Sequence, residues 1–585
     1  MTHRNISMSR HALRLQTDGV RGAPRAEVGD RRGRSRRTRA VIILAFVLCG
    51  FSLLIGQLVW LALSGQGVRQ VSMTRPIATA FARPDIVDRR GRLLATDVSL
   101  PSLFADPSRV IDRNVVVEKL RTILPQFNEE KVHRGLREKG RRFMWVRRGL
   151  SPRLAQAVHN AGLPGLSFRS ELQRAYPMGG LGGFVVGAVD VDNRGVSGIE
   201  RYLDERKLVE PVHGVAGANG LPVRLSLDLG AQHALRDELS QALKHYGARG
   251  ATGVVLDVHS GEIIAASTVP GVKSGRLKGR NDEGARDTLT QGAFELGSVF
   301  KLFSVATALD RGIVRPNSRV DVSRPLIENG YVIKDAYASL GTLSISDIIV
   351  RSSNVGAGVV ALEAGTDAQQ AFLKRAGLLD KLTTEAGPIE APRAPKTWGR
   401  LETITVSYGH GIAVSPLQFA AASAALVNGG TRIVPSFVRD GVMDQVRGHK
   451  AASVEPGEDA GTPARVMSAQ TSAWIRDMMR KNVTDPHGTG RRADVPGYRV
   501  GGKTGTAELP VRGGYSEKAV ISSFLAAFPM DAPRYVVLVS LFEPRPTVAS
   551  GQKISASHNA APVAGRVISR VGPLLGVRAI FDKKI

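Results

Sequence analysis

Residues 296–309 of this 585-residue chain read LGSVFKLFSVATAL. The apolar residues recur at the spacing of one helix face, so the stretch predicts a helix that opens at Ser298. Ser298 and Lys301 are three residues apart and therefore lie on the same side of that helix. A serine hydroxyl is a weak nucleophile, and an amine one helical turn away can take its proton. The stretch therefore predicts both a buried helix and a nucleophilic serine with its base.

Two further motifs follow this pair in a fixed order along the chain. They are Ser352-Ser353-Asn354 and Lys503-Thr504-Gly505-Thr506. A Ser-x-x-Lys, a Ser-x-Asn and a Lys-Thr-Gly in this order supply the side chains that acylate a serine with a peptide-like substrate. Each motif alone occurs by chance, whereas the ordered set predicts a serine acyltransferase.

Three chance matches to the same motifs occur elsewhere. Ser550-Gly551-Gln552-Lys553 and Ser557-His558-Asn559 follow the Lys-Thr-Gly instead of preceding it. Lys273-Ser274-Gly275 lies in a stretch rich in glycine and charged residues, which predicts a loop. Their order and context exclude them from the predicted site.

Each residue of the predicted site also has a structural interpretation. Ser298 could cap a helix, and Lys301 could lie on a solvated helix face. Ser352 and Asn354 could cap the helix that follows them. Lys503 could lie on an ordinary exposed edge strand. For any single motif these alternatives stay open.

An apolar segment without charged residues, 40–63, lies near the N-terminus. As a helix its 24 residues would extend about 36 Å, enough to cross a hydrocarbon core of about 30 Å. Arginines cluster directly before it, at 31–39, which predicts a cytoplasmic N-terminus. We therefore expect a basic cytoplasmic tail (1–39), one transmembrane helix (40–63) and a remainder that lies outside the cytoplasm, in a protein anchored in the membrane by a single span.

Composition narrows the range of partners and cofactors. The formal net charge is +28, yet no nucleic-acid-binding motif accompanies it, so we expect no nucleic acid and instead anionic wall polymer or lipid. Cys49 is the one cysteine, which rules out an intramolecular disulfide. The 12 histidines show no metal-ligand spacing, so we expect no metal and no cofactor.

The chain beyond the apolar segment divides into two predicted domains. Residues 221–585 hold the three motifs and predict an α/β (α+β) fold with an antiparallel sheet flanked by helices. The predicted strands are 253–258, 262–266, 520–528 and 535–542, and the predicted helices are 231–246 and 561–568. Residues 64–220 predict an irregular α+β pedestal. It has helices at 115–124 and 152–161, a strand-turn-strand at 83–95, a flexible glycine turn at 179–183 and a linker at 212–220.

The ordered motifs and five outer segments resemble the class B high-mass penicillin-binding proteins. The outer segments are 83–95 (RPDIVDRRGRLLA), 174–177 (RAYP), 195–200 (GVSGIE), 408–418 (YGHGIAVSPLQ) and 488–493 (GTGRRA). Within that class the likeness is greatest to the division-specific septal peptidoglycan D,D-transpeptidases. We interpret the outer segments as holding the non-catalytic pedestal to the catalytic domain.

The resemblance implies an elongated dimerisation-type pedestal before a penicillin-binding transpeptidase fold. It implies that Ser298 attacks the penultimate D-alanine carbonyl of a stem peptide and later passes the acyl group to an amine. Lys301 would act as a neutral base, so burial or a cationic neighbour must lower its pKa. Ser352 would relay a proton, and Asn354 would bind the substrate amide.

The resemblance also assigns the Lys-Thr-Gly-Thr motif to substrate binding. Lys503, Thr504 and Thr506 would hold the substrate carboxylate, and Gly505 would give the substrate room. The backbone N–H groups of Ser298 and Thr506 would form the oxyanion hole. β-Lactams would acylate the same serine.

The resemblance implies partners and leaves alternatives open. Expected partners are peptidoglycan stem peptides, a membrane glycan polymerase of the division machinery and other bitopic division proteins. The alternatives are an elongation-type class B transpeptidase, a β-lactamase or β-lactam-binding sensor, and a non-catalytic division scaffold. A deacylating base, which a β-lactamase requires, is not evident in the sequence.

Overall fold

The computed structural model describes residues 32–63, 80–125, 127–212, 221–271, 275, 287–336, 341–439, 464–511 and 514–581. Most of the predicted basic tail, nearly all of the predicted linker and Lys273-Ser274 lie outside these residues. The chain forms two compact units, 1–78 and 79–585.

The first unit contains helix α1 (Arg32–Leu63), which covers the segment predicted to cross the membrane. Over the residues whose side chains the structure describes, no helix reaches the length and apolarity that a membrane crossing requires. The membrane span therefore stays a prediction.

The N-terminal part of the second unit packs short helices against a small sheet. Strand β3 is its centre, because β2, β4 and β5 all pair with it antiparallel. Leu103 on β3 packs with Val116 and Leu120 of a neighbouring helix in one buried cluster. The elements are β1 (Ala80–Ala82), β2 (Ile86–Val87), β3 (Leu93–Ala105), α2 (Arg113–Ile123), α3 (Glu129–Arg137), β4 (Met144–Arg147), α4 (Pro152–Asn160), β5 (Leu166–Ala175), α5 (Gly183–Val186), β6 (Ala188–Val189), β7 (Gly195–Ser197), α6 (Gly198–Glu205) and β8 (Glu210–Val212), with 3₁₀ helices at Pro107–Arg109 and Gly179–Leu181.

Most of the local predictions for this region are confirmed. The two amphipathic helices and the strand-turn-strand at 83–95 form as expected. The turn predicted at 179–183 is present as a 3₁₀ turn at Gly179–Leu181, followed by the start of α5 at Gly183. Val185 and Val186 are completely buried, and their burial holds this turn in place despite its glycines.

A five-stranded antiparallel sheet forms the centre of the catalytic region, as predicted. The strand order is β11-β10-β20-β19-β18. The elements are β9 (Val223–Arg224), α7 (Leu229–His245), β10 (Gly250–Asp257), β11 (Ile263–Val269), α8 (Lys301–Asp310), β12 (Arg319–Asp321), β13 (Leu326–Glu328), β14 (Tyr331–Ile333), β15 (Thr342–Ser344), α9 (Ile345–Arg351), α10 (Asn354–Ala364), α11 (Thr366–Arg375), β16 (Thr383–Thr384), β17 (Gly387–Pro388), α12 (Arg400–Ser407), α13 (Pro416–Val427), α14 (Ala469–Thr484), β18 (Gly501–Val511), β19 (Gly514–Phe528), β20 (Tyr535–Phe542) and α15 (Ala560–Leu574), with 3₁₀ helices at Gly297–Phe300, Arg491–Ala493 and Val548–Ser550.

Helices cover both faces of this sheet. Because side chains alternate along a strand, Val537 and Val539 of β20 pack into the cluster with α7 and α15. Leu538 packs into the opposite cluster, which contains Phe300 and Leu302. The segment that carries Ser298 and Lys301 therefore packs between the sheet and the other helices.

Three of the outer segments meet in a buried ion network inside the pedestal. Arg83 and Arg174 both donate to the carboxylate of Glu200, each at 2.7 Å. All three side chains are fully buried. Arg83, Arg174 and Glu200 link parts of the pedestal to one another. Segment 195–200 also reaches the catalytic domain, because Ile199 packs in the buried cluster that contains Leu227 and Val258.

The turn of the first outer segment does reach the catalytic domain. Asp88 accepts a hydrogen bond from the backbone N–H of Leu229 at the start of α7, at 3.1 Å. Arg92 donates to Asp88 at 2.7 Å and to Asp228 at 3.2 Å. For segment 83–95, the prediction of a contact between the pedestal and the catalytic domain is therefore confirmed.

The two remaining outer segments, 408–418 and 488–493, lie wholly within the catalytic domain. Val414 forms a bridge with Phe294, just before the predicted nucleophile. The interdomain interpretation is therefore wrong for both segments. Their positions are explained by the site that they surround.

Candidate active site

Ser298 lies in a tight turn that leads directly into α8. The turn, Gly297–Phe300, is a 3₁₀ helix rather than the first turn of an α-helix. In a 3₁₀ helix residues i and i+3 stand above one another, which places Lys301 beside the serine. The Lys301 Nζ lies 2.9 Å from the Ser298 Oγ. Ser298 itself is half-buried and remains accessible from solvent.

The Lys301 amine donates its two shortest hydrogen bonds to two oxygen acceptors. Its Nζ lies 2.6 Å from the carbonyl oxygen of Ser352 and 2.7 Å from the Oδ1 of Asn354. A neutral amine has two N–H bonds and one lone pair, so these two acceptors use both donors. The lone pair is then left for the Ser298 hydroxyl proton. The arrangement suits a general base.

The pKa of Lys301 agrees with this assignment. Burial lowers it from its ordinary value to about 7, and the carboxylate of Asp335 acts in the opposite direction. Of the two causes expected, burial and a cationic neighbour, it is burial that lowers the pKa of Lys301. Burial also lowers the pKa of Lys503 well below its usual value, and the charge of Lys301 adds to that effect.

The Ser352 hydroxyl lies between the two lysines. Its Oγ is 3.2 Å from the Nζ of Lys301 and 2.9 Å from the Nζ of Lys503. Ser352 ends α9 in the left-handed region, with φ of 62°, and this sharp turn separates α9 from α10. A hydroxyl in contact with both amines can pass a proton between them.

Ser353, rather than Ser352 or Asn354, caps α10 with its side chain. The Ser353 Oγ accepts from the backbone N–H of Gly356 at 2.9 Å. The alternative in which Ser352 and Asn354 serve as helix caps is therefore wrong. Their side chains are free to meet Lys301 and Lys503 instead.

The Lys-Thr-Gly-Thr motif lies on β18, the edge strand of the sheet. The Lys503 side chain is fully buried, so its interpretation as part of an ordinary exposed edge strand is wrong. A Cβ on Gly505 would lie 2.2 Å from the Leu296 carbonyl oxygen. Strand β18 therefore runs directly against the turn that carries Ser298, and only glycine permits this approach.

The two threonines of β18 connect the strand to its surroundings. The Thr504 Oγ1 donates to the Thr489 Oγ1 at 2.7 Å. The Thr506 Oγ1 accepts from the backbone N–H of Ala556 at 3.2 Å, and Thr506 is exposed to solvent. The structure thus brings the predicted site residues of the three motifs close together.

Comparison with known proteins decides the family. Residues 251–569 match the family described as the penicillin binding protein transpeptidase domain, and residues 79–208 match the penicillin-binding protein dimerisation domain. The chain belongs to the penicillin-binding proteins. The family predicted from the motifs is therefore confirmed.

This penicillin-binding protein is similar in sequence to named peptidoglycan D,D-transpeptidases and in structure to a solved transpeptidase domain. Over 507 residues it is 35% identical to the probable peptidoglycan D,D-transpeptidase FtsI of Caulobacter vibrioides, covering 85% of this chain and 82% of the relative. It is 27% identical to the peptidoglycan D,D-transpeptidase FtsI of Escherichia coli K12, covering 91% of each. The apo transpeptidase domain of Burkholderia pseudomallei penicillin-binding protein 3 is 30% identical, with a TM-score of 0.52 over 61% of this chain and 98% of that one.

Sequence reasoning missed two residues that shape the site of this penicillin-binding protein. Asp335 accepts from the Ser353 Oγ at 2.7 Å and from the backbone N–H of Val355 at 3.0 Å. Thr489 belongs to segment 488–493, for which the sequence predicts a role between the domains, whereas its hydroxyl contacts Thr504 within the site. No motif marks Asp335, because its contact with Ser353 forms only when the residues after β14 come to lie at the N-terminus of α10.

Proposed function

We propose that this chain is a peptidoglycan D,D-transpeptidase that cross-links stem peptides through an acyl-enzyme on Ser298. The observation that carries the proposal is the distance of 2.9 Å between Lys301 Nζ and Ser298 Oγ, with both amine N–H bonds directed elsewhere. Membership of the family and the names of the relatives support the same reaction.

The first half of the reaction acylates the serine. Neutral Lys301 accepts the Ser298 proton as the Oγ attacks the carbonyl carbon of the penultimate D-alanine. The peptide C–N bond then breaks, and the departing amine of the terminal D-alanine receives a proton through Lys301 and Ser352. The products are free D-alanine and an ester on Ser298.

The second half transfers the acyl group to another stem peptide. A neutral amine attacks the ester carbonyl, and its proton passes back through the same lysine and serine. The C–O bond to Ser298 breaks, and the hydroxyl regains its proton. The product is an amide cross-link, and the enzyme returns to its starting state.

The remaining residues bind the substrate. Lys503 lies beside Thr504, and Thr506 faces solvent on the same strand. An amine and hydroxyl groups in this arrangement suit the binding of a substrate carboxylate. Asn354 uses one amide N–H on the Lys334 carbonyl and retains a second for the substrate amide. The backbone N–H groups of Ser298 and Thr506 form the oxyanion hole in this proposal. β-Lactams occupy the same place and acylate Ser298.

We infer a septal role at the inner membrane. The uncharged segment 40–63 and the arginines before it support a single-pass topology with the catalytic domain outside. Residues 1–39 are then the cytoplasmic tail, 64–220 the pedestal and 221–585 the transpeptidase domain. The motif likeness to division-specific enzymes favours septal wall synthesis over elongation, with a membrane glycan polymerase and other bitopic division proteins as partners.

The test uses the full-length protein in detergent with a fluorescent penicillin. We expect stable labelling that peptide mass spectrometry locates at Ser298 and that Ser298→Ala abolishes. Ser550→Ala, which removes the serine of the second Ser-x-x-Lys, should retain the label. No labelling of a folded protein would leave a scaffold role, and rapid release of the label would indicate a hydrolase. Exchange of a stem peptide's terminal D-alanine for an added amine then tests the transfer step.

A further inference from the structure

A basic cleft of about 880 Å³ opens beside the active site. Its charged lining consists of three arginines, Arg351, Arg491 and Arg492, with Asp494 as the one carboxylate among the described lining residues. His487 and His558 lie on the same wall. The cleft includes most of segment 488–493, whose role the domain organisation does not explain.

Residues that line the cleft are linked to residues of the site by hydrogen bonds or by adjacency in the chain. Arg351 directly precedes Ser352 in the chain. Thr489, on the cleft wall, accepts the hydrogen bond of Thr504 at 2.7 Å. Ser557, also on the wall, directly follows Ala556, whose N–H is bonded to Thr506. The cleft therefore begins where the predicted carboxylate site of β18 ends.

The positive charge of the cleft is not neutralised by neighbouring carboxylates. The Asp494 carboxylate forms an ion pair with the Arg480 guanidinium at 2.8 Å, so its charge is already paired with an arginine outside the cleft lining. Among the residues that the structure describes, no carboxylate lies within ion-pair distance of Arg351, Arg491 or Arg492. Burial lowers the pKa of His558, and the charges of Arg492 and Lys553 lower it further. A cleft lined by one sign of charge concentrates ligands of the other sign.

The reaction itself determines what approaches from this side. The leaving D-alanine carries the terminal carboxylate, so its amine departs past Thr504 and Thr506. By microscopic reversibility, the acceptor amine enters along the path that the leaving amine takes. An acceptor that follows this path passes Thr504, whose hydroxyl is bonded to Thr489 on the cleft wall. An acceptor stem peptide ends in a carboxylate, which guanidinium groups bind well.

We propose that the cleft is an acceptor subsite, in which Arg491 and Arg492 bind a carboxylate of the stem peptide whose amine resolves the acyl-enzyme. This inference rests on the proposed function and specifies its second substrate as an anionic peptide. The arginines are positioning residues and take no part in bond making.

The test compares two acceptors on the full-length protein in detergent. One is a stem-like tetrapeptide with one free amine and a C-terminal carboxylate, and the other is the same peptide as its C-terminal amide. A D-alanyl thioester serves as donor. We expect the parent to use the acid about tenfold better than the amide, measured as kcat/KM for the acceptor. The double variant Arg491→Gln, Arg492→Gln should lose that preference, while its rate of acylation by penicillin stays unchanged.

Arg578→Gln, an exposed arginine outside the cleft, is the matched control and should keep the preference. A double variant that still prefers the acid overturns the proposal. So does a parallel fall in penicillin acylation, which would place the arginines on the donor side or in the stability of the fold. A parent that transfers acyl groups without any preference overturns the subsite alone. A parent that forms no acyl-enzyme overturns the proposed function as well.

Discussion

The Asp335 carboxylate accepts a hydrogen bond from the Ser353 hydroxyl at 2.7 Å. It also accepts from the backbone N–H groups of Asn354 and Val355 at the start of α10. A carboxylate at a helix N-terminus stabilises the exposed N–H groups there. Asn354 in turn holds Lys301, so Asp335 orients the base from outside the motifs.

Asp335→Asn should therefore slow acylation without unfolding the protein. We expect an acylation rate about tenfold lower at high pH, because the base is less well held. The negative charge of Asp335 raises the pKa of Lys301, so its removal should also move the midpoint of the pH profile downward. Stopped-flow acylation by a chromogenic cephalosporin measures the acylation rate and the midpoint of its pH profile. A slower variant with an unmoved midpoint would show a purely structural role.

Acylation by the parent protein should depend on pH through Lys301. Because the base acts when neutral, the rate should rise with pH and level off above the pKa of about 7. Between pH 6 and pH 8 the neutral fraction increases about tenfold, and the acylation rate should follow it. A rate that stays flat across this range would mean that Lys301 is not the titrating base.

Burial of Lys301 should also make stability depend on pH. The unfolded lysine keeps its ordinary pKa of 10.5, whereas the folded one titrates at about 7. Between these values the unfolded chain binds more protons, so the free energy of unfolding contributed by this residue rises with pH and is lowest below pH 7. Below pH 7 the charged, buried Lys301 lowers the free energy of unfolding by on the order of 5 kcal/mol relative to its value at high pH.

Lys301→Met removes that titration. The variant's stability relative to the parent should therefore be greatest at pH 6 and should shrink towards pH 9. Denaturant unfolding of both proteins at the two pH values measures the difference. Lys244→Met, at an exposed position in α7, should show no such change. An equal difference at pH 6 and pH 9 would contradict the assigned pKa.

Local patterns were sufficient to predict the central sheet and the placement of Lys301 beside Ser298. The periodicity of 296–309 and the alternation in 535–542 depend on near neighbours in the chain, and the structure confirms both elements. The ordered motifs likewise predicted which side chains meet. Lys301 contacts Ser352 across 51 positions because a polar amine buried in that core needs acceptors.

Contacts between distant, unmarked residues could not be predicted in this way. Asp335 and Ser353 are 18 positions apart, and only the folded path of β14 brings them together. Arg83 and Glu200 lie in two of the outer segments, yet they are 117 positions apart and neither segment's sequence indicates that the other is its partner. The contact between Thr489 of segment 488–493 and Thr504 likewise depends on how the folded chain packs, and neither sequence pattern predicts it.

Glu200→Gln should destabilise the pedestal strongly. The substitution leaves Arg83 and Arg174 buried without their shared carboxylate, which typically costs about 3–5 kcal/mol. Thermal and denaturant unfolding measure the loss. Glu205→Gln is the matched control, because Glu205 forms an exposed pair with Arg201 worth only about 0.5 kcal/mol. Similar effects of the two substitutions would show that the buried network contributes little.

Gly505→Ala should separate substrate acylation from folding. Its Cβ would meet the Leu296 carbonyl oxygen at 2.2 Å and the Val299 side chain at 3.1 Å, so β18 must move away from the Ser298 turn. A displacement of about 1 Å in a catalytic site lowers the rate about 100-fold, which penicillin acylation kinetics would detect. Gly250→Ala places a methyl group in the same sheet with no contact closer than 3.6 Å and should retain full activity. Equal acylation rates in the two variants would mean that the close approach of β18 to the serine turn is not required for catalysis.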